Sequence, residues 1–158
     1  MKKIIPVLLV VIVLCSCSNP YQYNGWKTLD VEDVGTLKLP AEWTYYYEDG
    51  LLYIVDENES LIATQSKSYG GWSGDAHNSG IVESNSFFDE VQQICCLQAT
   101  TVSTGTAYGT AKMIADGNES ENYFLIYFGE PTFQMVFWDE TVSEDLIAKI
   151  AWSFNSAG

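Results

Sequence analysis

The chain has 158 residues, 47% of them hydrophobic and 14% aromatic, enough apolar surface for the core of one domain and too much for global disorder. Seven lysines and no arginine face 21 aspartates and glutamates, a formal charge of −14. That balance excludes nucleic-acid binding, which needs a basic footprint, and any bidentate guanidinium clamp on phosphate or carboxylate.

The chain opens with Lys2 and Lys3, followed by the apolar run Ile4–Leu14. This run is too short to cross a hydrocarbon core of roughly 30 Å, which takes about 20 residues, so it reads as a cleaved signal. It closes on Leu14-Cys15-Ser16-Cys17, which resembles the lipobox of bacterial lipoproteins: an aliphatic residue at −3, a small one at −1, then cysteine. Cys15 is the rival acceptor, but its preceding residue would be the bulky Leu14. The resemblance implies removal of residues 1–16, diacylglyceryl attachment at Cys17, and a domain held at the extracytoplasmic face of the cell membrane, or at an outer membrane where the envelope has one. Two or more acyl chains give stable anchoring where one gives only marginal binding. Losing Lys2 and Lys3 takes the charge from −14 to −16. An anionic membrane surface repels such a domain, so the lipid has to hold it there.

Residues 18–25 are polar and without period, and read as a tether between anchor and domain. Strands are predicted at 27–31 and 35–39, the second stopped by Pro40. Strands at 44–48 and 51–56 flank Asp49-Gly50, a strong hairpin turn, and another is predicted at 61–68. These short strands in sequence predict an antiparallel meander. Residues 69–85 break the rhythm. They are rich in Gly, Ser, Asp and Asn, and carry Tyr69, Trp72, Asp75 and His77. A connection this long is more often functional than accidental.

A helix is predicted from Ser86, with Asp89 completing a capping box and Phe87, Val91, Ile94 and Cys95 forming an apolar stripe at helical spacing. Strands follow at 106–115, 122–128 and 132–138, with turns at 116–119 and 129–131. A last helix, capped by Thr141 with Glu144, buries Leu146, Ile147, Ile150, Ala151 and Phe154. The expected fold is a single α+β domain, residues 26–158, with an antiparallel sheet of about six or seven strands flanked by two helices.

Two stretches carry a further resemblance. Gly35-Thr36-Leu37-Lys38-Leu39-Pro40-Ala41-Glu42-Trp43 is a strand ending in Pro-x-x-Trp, and Asp145–Phe154 is a final helix closing on Ser-Phe. Both are similar to the Mog1/PsbP-like α/β domain found in many bacterial lipoproteins. That resemblance implies an antiparallel sheet with flanking helices, a binding or assembly role, and no catalytic residues. For Trp43 itself the physical reading is packing: proline ends the strand and tryptophan buries a large face beyond it.

No chemistry-bearing constellation emerges. His77 is the only histidine, flanked by Asp75 and Ser79 in a loop without a nucleophile elbow, so no triad is expected. One histidine with adjacent Cys95 and Cys96 does not supply a zinc site. With Cys17 assigned to lipid, Cys95 and Cys96 read as small apolar residues, a strained vicinal disulfide being the alternative. Asp116, Asn118 and Ser120 start like a calcium loop, but Glu121 and Tyr127 hold the places where such a loop needs Gly and Glu, so a hairpin turn is expected. The pairs Asp89-Glu90 and Asp139-Glu140 lie at predicted helix starts, where they complement the dipole. No cofactor or metal is expected.

Two aromatic features remain. In Trp43-Thr44-Tyr45-Tyr46-Tyr47, alternation puts Trp43, Tyr45 and Tyr47 on one face and Thr44 and Tyr46 on the other, one set core and the other an exposed patch. In the glycine-rich loop, Tyr69 and Trp72, with Asp75 and His77, are the stronger candidates for binding, because they have little core to enter. The functional expectation is a non-enzymatic, membrane-anchored binding or accessory module for an envelope protein or polymer. The alternative is a small-ligand or glycan receptor that stacks Tyr and Trp on its ligand.

Overall fold

The structure is a computed structural model, and it describes residues 19–65, 81–82, 91–115, 118–131 and 133–157. Eleven strands and one helix are found among them. They are β1 (Lys27–Val31), β2 (Gly35–Leu39), β3 (Thr44–Glu48), β4 (Leu51–Val55), β5 (Leu61–Gln65), β6 (Ile81–Val82), β7 (Val91–Thr101), β8 (Thr106–Ala115), β9 (Asn118–Tyr127), β10 (Phe133–Phe137), α1 (Glu144–Trp152) and β11 (Asn155–Ser156). β1, β2 and β11 form a small sheet in that order. The other strands form an eight-stranded sheet ordered β3-β4-β5-β10-β9-β8-β7-β6. Every pairing is antiparallel.

Of the meander expected from the first strands, β3-β4-β5 is present, while β1 and β2 pair apart in the small sheet, so the single sheet of six or seven strands that was expected is, among the described residues, two sheets of eight and three. Asp49 and Gly50 adopt φ of 50° and 76° between β3 and β4, the left-handed pair of a tight hairpin. Asp56 builds the next turn, its Oδ1 accepting from the N–H of Asn58 and of Ser60 at 2.8 Å each. Those bonds hold its carboxyl below the usual range, although burial pulls the other way. β10 is buried at all five positions, Phe-Gln-Met-Val-Phe, as befits a strand inside the sheet covered on both faces.

The main core lies between one face of the large sheet, α1 and the small sheet. Leu52, Ile54, Leu125, Phe133, Met135 and Phe137 meet Leu29, Leu37 and Leu39, with Ile147, Ile150, Ala151 and Phe154 from the helix side. Trp43 joins this core at 6% exposure, the packing role expected of the Pro-x-x-Trp motif. Its N–H donates to the Pro40 carbonyl, closing the turn that carries it inward.

Two expectations are corrected. The sheet is flanked by one helix among the described residues, not two: where the second helix was expected, residues 91–101 form β7, and residues 83–90, with Ser86, Phe87 and Asp89, lie outside the described residues. The register of β7 on β8 shifts between Val91 and Gln93 and again between Cys96 and Gln98. Each shift sets one extra residue of β7 against β8, and the first falls inside the Val91–Cys95 stretch, where it interrupts the period of two by which a strand is recognised in sequence. Pairing with all of β8 then overrides any local helical preference. The second correction concerns the cap of α1, which is Ser143 and not Thr141. Ser143 adopts φ −90° and ψ 156°, and its Oγ accepts from the Leu146 N–H at 3.3 Å. Thr141 is held outside the helix by Asp139, whose Oδ1 takes its N–H at 2.8 Å.

Candidate functional site

Cys17, Tyr69, Trp72, Asp75 and His77 all lie outside the described residues. Cys95 and Cys96 sit in β7, where the backbone of Cys95 is paired with Ile81 on one side and Lys112 on the other. Asn118 and Ser120 belong to β9, and Ala115 pairs with Asn118, so the segment that began like a calcium loop closes a hairpin. Among the described residues, no three acidic, cysteine or histidine side chains cluster to hold a metal, and no helix is long and apolar enough to cross a membrane.

The structure instead draws attention to β3. It is the terminal strand of the large sheet, and all five of its residues are exposed. Tyr45, Tyr46 and Tyr47 are 40%, 45% and 48% exposed, the largest contiguous group of exposed aromatic side chains among the described residues. Neither tyrosine set is core, which departs from the expected split. The reason is the edge position: among the described residues β3 ends the sheet, and Tyr45 and Tyr47 stay exposed there although they share a face with the buried Leu52 and Ile54. On the opposite face Tyr46 stacks on its cross-strand partner Tyr53, ring centroids 5.2 Å apart and planes at 6°.

Among the described residues, half of the β3 backbone also has no ladder partner. In a two-residue hairpin the residues flanking the turn form a hydrogen-bonded pair, and such pairs recur at every second position. Glu48–Leu51, Tyr46–Tyr53 and Thr44–Val55 therefore carry the bonds to β4. The N–H and C=O of Tyr45 and Tyr47 point away from the sheet. β1 passes on this side, and each described bond between the two segments joins one side chain to one backbone carbonyl. The Lys27 ammonium donates to the Trp43 carbonyl, and the Tyr47 hydroxyl donates to the Asp30 carbonyl at 3.3 Å.

The electrostatics around this edge are one-sided. Asp30, Glu32, Asp33, Glu42, Glu48 and Asp49 are all exposed. Burial pushes the Tyr47 phenol up, and the neighbouring Tyr45, Asp30 and Glu32 add to the effect, which places two of these carboxylates beside the tyrosine.

A second feature lies at the other side of the small sheet. Residues 19–25, the described part of the expected tether, run with Trp26 along α1 as a strap. The last four carbonyls of a helix have no partner within it. Here each has one. Asn19 Nδ2 donates to the Trp152 carbonyl at 2.7 Å, and the Tyr23 hydroxyl to the Lys149 carbonyl at 2.8 Å. The hydroxyls of Thr104 and Thr106 donate to Ala151 at 3.1 Å each, and Ser153 serves Ile150 through both its N–H and its hydroxyl. The Lys149 ammonium lies 4.3 Å from the Trp26 ring centroid, and Trp26 meets Tyr23 edge-on at 5.5 Å. Tyr21 reaches Asp145; burial first, then this carboxylate and Tyr108, push its phenol up. Asp145, Lys149 and Trp152 are four and three residues apart, so the strap follows one face of the helix.

Comparison with protein-family models, curated proteins and solved structures finds no match. Function therefore rests on the geometry. Sequence reasoning missed the strap and named the β3 tyrosines only as one of two aromatic features. The Asp49-Gly50 hairpin turn and the unbroken Tyr45-Tyr46-Tyr47 run were the available signals.

Proposed function

We propose that this chain is a lipid-anchored extracytoplasmic lipoprotein whose domain is a non-enzymatic binding module, offering the open edge of β3 to an envelope protein or polymer. The observation that carries the binding role is the contiguous exposure of Tyr45, Tyr46 and Tyr47 on a strand whose outer backbone has no partner among the described residues. Tyrosine is favoured at interfaces because it supplies contact area at little cost in side-chain freedom. The anchoring role is supported by the lipobox and by the strap: two peptide steps separate Cys17 from Asn19, about 7 Å at full extension, so acylation at Cys17 would put the lipid beside the end of α1. The Mog1/PsbP-like kinship is supported by the buried Trp43 after Pro40 and by the closing helix that ends on Ser153-Phe154.

Two measurements test this reading. In detergent-phase partitioning, the wild-type protein is expected in the detergent phase and Cys17→Ala in the aqueous phase; wild type in the aqueous phase removes the anchor. In pull-downs from envelope extract, Tyr46→Ala is expected to lose partners that wild type retains. Partners retained equally by both remove β3 from the account.

The glycan-receptor alternative is supported by the flat Tyr46–Tyr53 stack, a surface on which a sugar ring can lie. A saturable change in tyrosine and tryptophan fluorescence across a glycan panel would favour it over a protein partner.

A further inference from the structure

We propose that the partner enters as a strand: an extended segment bearing lysine or arginine at alternate positions pairs with β3 and becomes the ninth strand of the large sheet. The proposal rests on the binding-module reading and names the kind of partner it serves.

Edge strands are usually defended, by a lysine or proline within them, by a bulge, by extreme shortness or by a covering segment. Among the described residues β3 carries no such defence within the strand, and β1 touches this region only through the Lys27–Trp43 and Tyr47–Asp30 bonds, which leave the outer N–H and C=O of Tyr45 and Tyr47 open. The five residues of β3, Thr-Tyr-Tyr-Tyr-Glu, contain no lysine or proline. Its register on β4 is unbroken from Thr44↔Val55 to Glu48↔Leu51. The opposite edge of the same sheet, β6, spans only two residues. An extended chain laid beside β3 would find the N–H and C=O of Tyr45 and Tyr47 at the spacing of a ladder, and tyrosine rings on both faces to pack its side chains.

The charge decides what that chain carries. Six exposed carboxylates surround the edge: Asp30, Glu32 and Asp33 along β1 and its turn, Glu42 before β3, and Glu48 and Asp49 at its end. Lys27, the one described lysine beside the strand, is engaged by the Trp43 carbonyl. An incoming acidic strand is repelled, and a cationic one is attracted to the carboxylates and can lay its ammonium or guanidinium groups over the tyrosine rings. A second copy of this chain is the poorer occupant, because pairing β3 with itself brings these carboxylates together in a protein of charge −14.

The test uses the full-length protein in mild detergent with two synthetic octapeptides, (Thr-Lys)4 and (Thr-Glu)4, read by amide hydrogen exchange. (Thr-Lys)4 is expected to slow exchange at Tyr45 and Tyr47 by about tenfold or more, increasingly so at low salt, and (Thr-Glu)4 to leave them unchanged. Tyr45→Pro is expected to weaken (Thr-Lys)4 binding by about tenfold while keeping the unfolding midpoint, since a proline whose missing N–H faced solvent is tolerated on an edge strand. Where that variant fails to fold, Glu48→Lys with Asp49→Lys supplies the same fall through charge alone. No protection by (Thr-Lys)4 at about 1 mM overturns the proposal, as does equal protection by both peptides or unchanged binding by Tyr45→Pro. These results leave the binding-module reading to the Tyr46→Ala pull-down, so the two fail separately.

Discussion

Tyr46 and Tyr53 face each other across the β3–β4 pair with ring planes 6° apart and centroids 5.2 Å apart. This stack ties the edge strand to its neighbour on the face away from the main core. Aromatic cross-strand pairs contribute roughly 0.5–1.5 kcal/mol beyond the area they bury. Tyr46→Ala is expected to lower unfolding free energy by about 1 kcal/mol in urea titrations. A double-mutant cycle with Tyr53→Ala should return a coupling of about 0.5–1 kcal/mol, and a coupling near zero would mean the rings do not support one another.

Gly35 starts β2 at φ +147°, a conformation that side chains avoid, directly against the closing strand. A Cβ there would collide with the Asn155 carbonyl oxygen and approach Ser156 Cα to 2.9 Å. Gly35→Ala is expected to displace β11 and cost about 3 kcal/mol, from backbone strain together with the lost pairing of residues 155 and 156. Thermal unfolding measures this, and a midpoint within a degree of wild type would contradict the geometry.

The position of the helix cap gives a paired prediction. Removing a serine N-cap costs about 1 kcal/mol. Ser143→Ala should show that loss, while Thr141→Ala, whose backbone N–H rather than side chain makes the bond to Asp139, should change stability by less than about 0.5 kcal/mol. The reverse order would return the cap to Thr141.

The strap should be sensitive to alkali. Burial raises the phenol of Tyr23 above its ordinary value of 10.0, outweighing the opposing bond from Asn19, and raises that of Tyr21 with help from Asp145 and Tyr108. A phenol that holds its proton more tightly in the folded chain contributes its stability in full below the unfolded value. That contribution is lost as pH rises through the folded value. Unfolding free energy should therefore fall as pH climbs above about 10, and the double variant Tyr21→Phe, Tyr23→Phe should flatten that fall. Phenolate absorbance checks the order of events: an identical slope in wild type and variant would show that these two residues are not responsible.

Much of the fold was legible because it is written locally. The Asp49-Gly50 turn, the stop at Pro40 and the apolar stripe of Ile147, Ile150, Ala151 and Phe154 each place an element without reference to distant residues. β7 was misread because the register shift at Val91/Gln93 interrupts the alternation of a strand, and only its pairing with β8 reveals it. The edge status of β3 was hidden for a related reason. It depends on strand order, with β10 entering between β5 and β9, and strand order is not a local property. The strap was invisible because its bond from Asn19 to Trp152 joins residues 133 positions apart.

The strap also determines how the domain would bear a load. On the proposed anchoring, any pull between membrane and partner enters the chain at Cys17 and reaches Asn19 first. There it meets the bonds to the Trp152 and Lys149 carbonyls and the seat of Trp26 on Lys149, before it can peel β1 from β2. The pull is passed to α1 and through Ile147 and Ile150 to the core, so the load enters through a packed helix and not through an edge strand.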